Sequence, residues 1–165
     1  MANFKDCPKY NIYNDYYTPE YAWENISHLI PKDKIVWEAC CLNSHKSKSP
    51  EYLSKICKEV VYDFNMNMLE NQPDKYDMII TNPPFETNVK KDILKKLVEL
   101  NKPFIIIMNS LNIYSKYMRD IFKDKFKNLQ VITPNGKIHF EKLLDNGETK
   151  YQSNTSFYCI YLAYK

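Results

Sequence analysis

The 165-residue sequence predicts a single α/β domain built on a largely parallel sheet with helices on both faces. Three observations predict it. Apolar segments of strand length alternate with segments of helical periodicity, the pattern of repeated β-α units. The segments 76–81 and 103–108 carry runs of consecutive apolar residues, as strands buried on both faces do. Three strand segments end in a polar residue with chemistry to offer, Glu38, Asp63 and Asn82. Ligands of such sheets gather beyond the carboxyl ends of the strands, so these three are expected around one cleft.

The elements follow in order. Residues 1–16 are polar and tyrosine-rich and read as an irregular arm. A helix is predicted over 18–30: Thr18 can cap it, Pro19 suits its first position and Glu20 its first turn. Ala22, Ile26, Leu29 and Ile30 supply its apolar face. Ile35, Val36 and Trp37 make 34–39 a strand, Pro50 opens a helix over 49–58, and 60–63 is a second strand. After the strand at 76–81 comes an amphipathic helix over 90–100, with Ile93, Leu94, Leu97 and Val98 on one side. The strand 103–108, a helix over 112–127 and a strand over 129–133 follow. Residues 141–154 read as a polar loop and 155–164 as a long apolar closing strand. No repeat, low-complexity tract or linker divides the chain, and no segment reads as a separate target-recognition domain.

Composition narrows the class. Hydrophobic residues make up 44% and charged residues 26%, as in soluble globular proteins. No apolar stretch is long enough to span a bilayer, and the first ten residues do not form a signal peptide. The five cysteines (Cys7, Cys40, Cys41, Cys57, Cys159) include no CxxC pair. Neither a metal site nor a disulfide framework is expected, and a cytoplasmic, reducing setting is. Net charge is +3, almost all of it from lysine, with Arg119 the single arginine. A nucleic-acid partner would therefore be held through its backbone and shape, since bidentate base reading prefers arginine. The chain has only two glycines, Gly136 and Gly147, where average usage gives roughly a dozen. Any nucleotide-binding loop must work without them.

The most informative residues are Asn82-Pro83-Pro84-Phe85. Proline cannot continue a central strand, so the apolar run stops there. Pro84 also biases Pro83 towards extended geometry, which fixes where the Asn82 amide and the Pro83 carbonyl point. Two acceptors on a stiff frame beside a flat ring suit a planar amino group: the acceptors take its two N–H bonds while Phe85 stacks on the attached ring.

In this order and spacing the chain resembles the amino-methyltransferases that use S-adenosylmethionine (SAM), and among them the small N6-adenine DNA methylases. The resemblance runs from about residue 17 to residue 163. It implies a Rossmann-like class I methyltransferase fold with an antiparallel closing strand, and SAM as cofactor. Tyr17-Thr18-Pro19 resembles the segment that closes over the methionine part of SAM, and the residues from Trp37 through Glu38 and Cys40 the first strand and its cofactor loop. Asp63 would accept the ribose hydroxyls, Phe64 would lie against the adenine, and Asn67-Met68 would read its edge, where the family favours aspartate. Asn82, Pro83, Pro84 and Phe85 match the catalytic tetrapeptide. Thr133 to Phe140 resembles the loop that helps to hold an extruded base, which makes Lys137, His139 and Phe140 substrate contacts beside Phe85. Where the family carries Gly-x-Gly, this chain has Leu42-Asn43-Ser44.

The resemblance thus implies methyl transfer to an exocyclic amine, adenine N6 in DNA first, with DNA preferred over RNA as partner. A homodimer or a partner subunit is left open. The departure at 42–44 keeps a second reading in play, a methyltransferase-fold protein that binds nucleic acid or a partner subunit without turnover. Guanine N2 or a glutamine amide is a third. Other residues carry plainer readings. His28 and His45 suit the surface, Cys40-Cys41 also suits core packing, and the Lys90/Lys91 and Lys123/Lys125/Lys127 clusters suit solvated faces. Lys46 and Lys48 are the better phosphate candidates.

Overall fold

A computed structural model describes residues 16–41, 46–143, 146, 148–151 and 158–165. The segment Leu42-Asn43-Ser44, His45, most of the N-terminal arm and the start of the expected closing strand lie outside the described residues.

The central sheet has six strands in the order β3-β2-β4-β5-β9-β6. They are β2 (Ile35–Trp37), β3 (Glu59–Val61), β4 (Met78–Thr81), β5 (Phe104–Asn109), β6 (Leu129–Ile132) and β9 (Cys159–Tyr164). β2, β3, β4 and β5 are mutually parallel, and β9 runs antiparallel between β5 and β6. The closing strand is thus antiparallel, in the orientation the resemblance implied.

Consecutive apolar residues in these strands feed two separate cores. Trp37, Ile79, Phe104, Ile106 and Leu162 point to one face, where they pack with Ile93, Leu94 and Leu97 of α3 (Thr87–Leu100) and with Met118 and Phe122 of α4 (Lys116–Phe122). Val36, Ile80, Ile105 and Tyr161 point to the other, against Ala22, Trp23 and Leu53 from α1 (Glu20–Glu24) and α2 (Ser49–Ser54). Side chains alternate across a strand, so a strand with helices on both faces must be apolar at every position.

Several boundaries differ from expectation for local reasons. The predicted helix at 18–30 is a short α1 followed by a 3-10 turn at Ser27–Leu29. Pro19, not Thr18, occupies its cap position, and no side chain caps it. The predicted helix at 112–127 is broken. A 3-10 turn at Ser110–Tyr114 ends in extended backbone at Ser115, and α4 stops where Lys123 takes φ of 49°. α3 starts three residues earlier than expected because the Glu86 carboxylate accepts the Val89 N–H at 2.8 Å, an N-terminal cap.

The expected polar loop at 141–154 contains two strands, β7 (Glu141–Leu143) and β8 (Thr149–Tyr151). They form a hairpin, and β7 pairs with β1 (Tyr16–Tyr17) in a second, three-stranded sheet. That pairing carries the end of the N-terminal arm over the tips of the central strands. Among the described residues no helix is long and apolar enough to cross a membrane.

Candidate active site

A cleft opens at the carboxyl ends of β2 and β4. Its floor is Glu38 and Cys40 beyond β2 and Asn82 to Phe85 beyond β4, and its walls are Tyr16, Tyr17 and Thr18 on one side and Ser47 and Ser49 on another. The structure therefore brings together Tyr17, Thr18, Glu38, Cys40 and the tetrapeptide. The enclosed part of this space is about 40 Å³ among the described residues.

The polar groups at the strand tips hold one another. Thr81 is fully buried at the end of β4; its hydroxyl donates to Glu38 and accepts the Cys40 N–H at 2.9 Å. The Cys41 thiol donates to the other Glu38 oxygen, and the Cys40 N–H also approaches Glu38, at 3.3 Å. Burial pushes the Glu38 pKa above the usual carboxylate range, against the lowering effect of these donors. Burial, reinforced by the neighbouring Glu38, also pushes both cysteine thiols up, so neither is a nucleophile at neutral pH.

Asn82 is fixed from the N-terminal side. Its Nδ2 donates to the Thr18 hydroxyl at 3.0 Å, a bond across 64 residues of sequence. Its Oδ1 is buried and has no hydrogen-bond partner among the described residues. Thr18 thus holds the amide, where the sequence suggested a helix cap.

Phe85 is half-buried and meets the fully buried Phe140 edge-on, with ring centroids 5.5 Å apart at 75°. A base cannot slip between rings at that separation, since stacking on both faces needs about 7 Å. Phe140 supports Phe85 from behind. Below the tetrapeptide, the Lys90 ammonium donates to the Phe85 carbonyl at 3.2 Å, and only 3% of Lys90 is exposed. This corrects the expectation of a solvated lysine. Lys90 falls on the Ile93-Leu94-Leu97 stripe of α3, and that helical spacing was the available signal. Burial lowers its pKa, with Glu86 opposing.

The remaining expected residues, Asp63 among them, do not line this cleft. Asp63 is exposed past the tip of β3, where its carboxylate accepts the Asn65 N–H at 2.8 Å. Phe64 meets Tyr62 edge-on at 5.3 Å. Asn67 is buried and accepts the Leu69 N–H at 3.1 Å, while buried Met68 meets the Cys40 sulfur at 3.6 Å. Pro19 is buried behind Thr18. His139 donates its backbone N–H to the Tyr21 hydroxyl at 2.7 Å, and its Nδ1 is buried without a partner. The Lys137 ammonium lies over the Tyr158 ring, 5.1 Å from its centroid. Lys46 and Lys48 are exposed, and the intervening Ser47 and the following Ser49 face the cleft instead. Sequence reasoning missed Thr81, Ser49 and Tyr16. Thr81 directly precedes Asn82 at the end of an apolar run, the one local hint among the three.

A mostly parallel, doubly covered sheet with polar groups clustered at its strand tips defines a class of protein, the α/β folds that bind ligands at that end. No protein-family model matches the chain, and no curated protein matches it. Among solved structures it is similar to a candidate RNA methyltransferase from Pyrococcus horikoshii, at 16% identity over 88% of this chain and 80% of that one, with a TM-score of 0.53. It is similar also to a candidate rRNA methylase from Clostridium thermocellum, at 10% identity over 88% and 93% of the two chains and a TM-score of 0.48. A candidate methyltransferase from Streptococcus mutans, solved with SAH, gives 14% identity, 88% and 95% coverage and a TM-score of 0.42. The first likeness establishes the fold as the Rossmann-like class I methyltransferase fold; the other two are looser and add nothing to it.

Proposed function

We propose that this chain is a SAM-dependent methyltransferase acting on an exocyclic amine of a nucleobase, adenine N6 first. One observation carries the reading: among the described residues Asn82 Oδ1 is a buried acceptor with no partner, on an amide whose other end Thr18 locks. A buried unpaired acceptor costs about 1–3 kcal/mol, so it is retained where a ligand completes it. The group that completes an acceptor is a donor, and an –NH2 is one.

Bound SAM supplies an electrophilic methyl on a sulfonium that leaves as a neutral thioether. Tyr17, Thr18, Pro19, Glu38, Cys40, Asp63, Phe64, Asn67 and Met68 are the residues that would hold it: Tyr17, Thr18, Glu38 and Cys40 line the cleft, Pro19 lies behind Thr18, and the rest follow β3. Asn82 Oδ1 and the Pro83 carbonyl accept the two N–H bonds of the substrate amine, so its lone pair stays directed away from them. Phe85, braced by Phe140 and by Lys90 at its carbonyl, offers one face to the base. As nitrogen gains the methyl it loses a proton, which passes along the hydrogen bond to an acceptor and on to water. Orientation supplies the rate in such a scheme, since effective molarity is worth about 7–11 kcal/mol at most. A base inside a duplex cannot reach the cleft, so it is flipped out or already unpaired.

The first fold match named above is described as a candidate RNA methyltransferase, whereas the tetrapeptide resemblance points to DNA, so the acceptor assay must hold both. Labelled SAM is incubated with single-stranded and duplex DNA and RNA, with wild type and Asn82→Ala side by side. Transfer to adenine by wild type, lost in the variant, supports the proposal. No transfer to any nucleic acid removes it. The narrow cleft favours the second reading, a non-catalytic nucleic-acid binder. Thermal shift separates the two, because SAM at a hundred times its Kd adds about 2.7 kcal/mol of stability.

A further inference from the structure

Among the described residues, the large apolar side chains left exposed are Tyr62, Leu111, Tyr114, Val131 and Tyr158. Three of them leave the same end of the sheet. Asn109, the last residue of β5, pairs with Cys159, and the Ser110 N–H donates to the Tyr158 carbonyl at 2.8 Å. The chain leaving β5 therefore carries Leu111 and Tyr114 out beside Tyr158, at exposures of 72%, 81% and 65%. This is the end of the sheet where Asn82 to Phe85 leave the neighbouring β4.

The patch is linked to the cleft. Lys137 lies over the Tyr158 ring and both lysines 90 and 137 act on the buried Cys159 thiol next to it. Three residues beyond Lys137, Phe140 backs the Phe85 ring. Tyr158, with the Lys137 ammonium over its ring, and Tyr114 thus form an exposed aromatic strip at the end of the sheet where Phe85 lies.

Single exposed apolar residues are ordinary, whereas a cluster at the ligand-binding end of a sheet marks a contact surface. Its chemistry selects the partner. Exposed tyrosine faces accept any base by stacking, and a lysine beside them suits a phosphate as a point charge. Bases in a duplex already stack on one another and have no face to offer. We infer that this strip binds single-stranded nucleic acid, with Tyr158 and Tyr114 stacking on nucleotides that flank the one entering the cleft and Lys137 on a phosphate between them. The role of the flanking sites rests on the function proposed above; binding by the strip does not.

The test is fluorescence anisotropy of a labelled single-stranded 12-mer and of the matching duplex, with the full chain and no cofactor. Loss of one base stack weakens binding about tenfold, so Tyr114→Ser and Tyr158→Ser each raise the Kd for the single strand by about that factor, and the double variant by about a hundredfold. Melting temperature stays at the wild-type value, because both rings are already in water. Kd values unchanged in the variants, no saturable binding of the single strand, or tighter binding of the duplex overturns the inference. So does a dimer in light scattering that the double variant makes monomeric, which would assign the strip to a second copy of the chain. Binding that follows these changes in a protein without methyl transfer would refute the catalytic reading and leave the strip standing.

Discussion

Replacing Asn82 by leucine separates what this residue does for the fold from what it is proposed to do for a ligand. Leucine has nearly the same branched shape and can fill the same space. The change removes a buried acceptor that has no partner, which relieves about 1–3 kcal/mol, and it forfeits the bond from Nδ2 to Thr18, worth about 0.5–1.5 kcal/mol. Thr18 is buried, so its hydroxyl loses its partner at a cost of about 1–3 kcal/mol, and the balance is near zero. For a domain of this size Tm should stay within about 2–4 °C of wild type. Asn82→Asp is the counter-case, because it places a carboxylate in the same dry position and should lower Tm at neutral pH. Calorimetry of the three proteins reads both effects, and the transfer assay runs on the same samples. There Asn82→Leu should lose at least about a hundredfold, the scale for removing one preorganised hydrogen-bonding group. A variant that melts well below wild type would mean that Oδ1 is satisfied in solution. A stable variant that still transfers methyl groups would refute the assignment of Asn82 as the amine's acceptor.

Three further predictions follow from the same geometry. Burial raises the Glu38 pKa, so the folded protein holds a proton that the unfolded chain releases. Its contribution to stability is greatest at low pH and declines as pH rises from the ordinary carboxylate range towards the folded pKa. Urea titrations at several pH values should therefore show wild type losing ground to Glu38→Gln as pH increases, and a constant difference would refute this. Lys90→Met keeps an apolar stem in the α3 stripe and removes a buried charge, so it should melt at or above wild type. Because the Phe85 carbonyl loses its anchor, the KM for the acceptor should rise more than kcat falls. Tyr161→Phe removes the hydroxyl that donates to the buried Ala22 carbonyl at 2.5 Å, a cost of about 1–3 kcal/mol visible in the same calorimetry.

The central sheet was legible because its strands are apolar on both faces. Met78-Ile79-Ile80 and Phe104 to Met108 leave no alternative to a doubly covered strand. Of the three strand-end residues expected around one cleft, Glu38 and Asn82 line it and Asp63 does not. The β7–β8 hairpin was not legible. It is polar, and it owes its strand geometry partly to pairing with Tyr16–Tyr17, far away in sequence. Thr18 was misread for a similar reason. A threonine before a proline and a glutamate satisfies every local rule for a helix cap, while its actual partner, Asn82, lies 64 residues on. Lys90 shows the opposite failure. Its position on the apolar stripe was readable from spacing, but the residue type argued for solvent, and only the fold shows the carbonyl that receives its ammonium.

The cleft also discriminates between ligands by what it leaves over. Stability alone would favour an apolar pair where Glu38 and Thr81 lie buried, since desolvating a carboxyl group costs more than its partners return. Among the described residues, four donors at these tips bond within the protein. The Thr81 hydroxyl and the Cys41 thiol go to Glu38, the Cys40 N–H goes to Thr81, and the Asn82 amide goes to Thr18. The group left over is an acceptor, Asn82 Oδ1, held on a bend that two prolines stiffen. An anion has no proton to offer it, so a phosphate or carboxylate gains nothing there. On the function proposed here, a neutral amino group on a flat ring would satisfy the oxygen and cover Phe85 at once, which is how such a site would differ from the anion sites more usual at the tips of parallel strands.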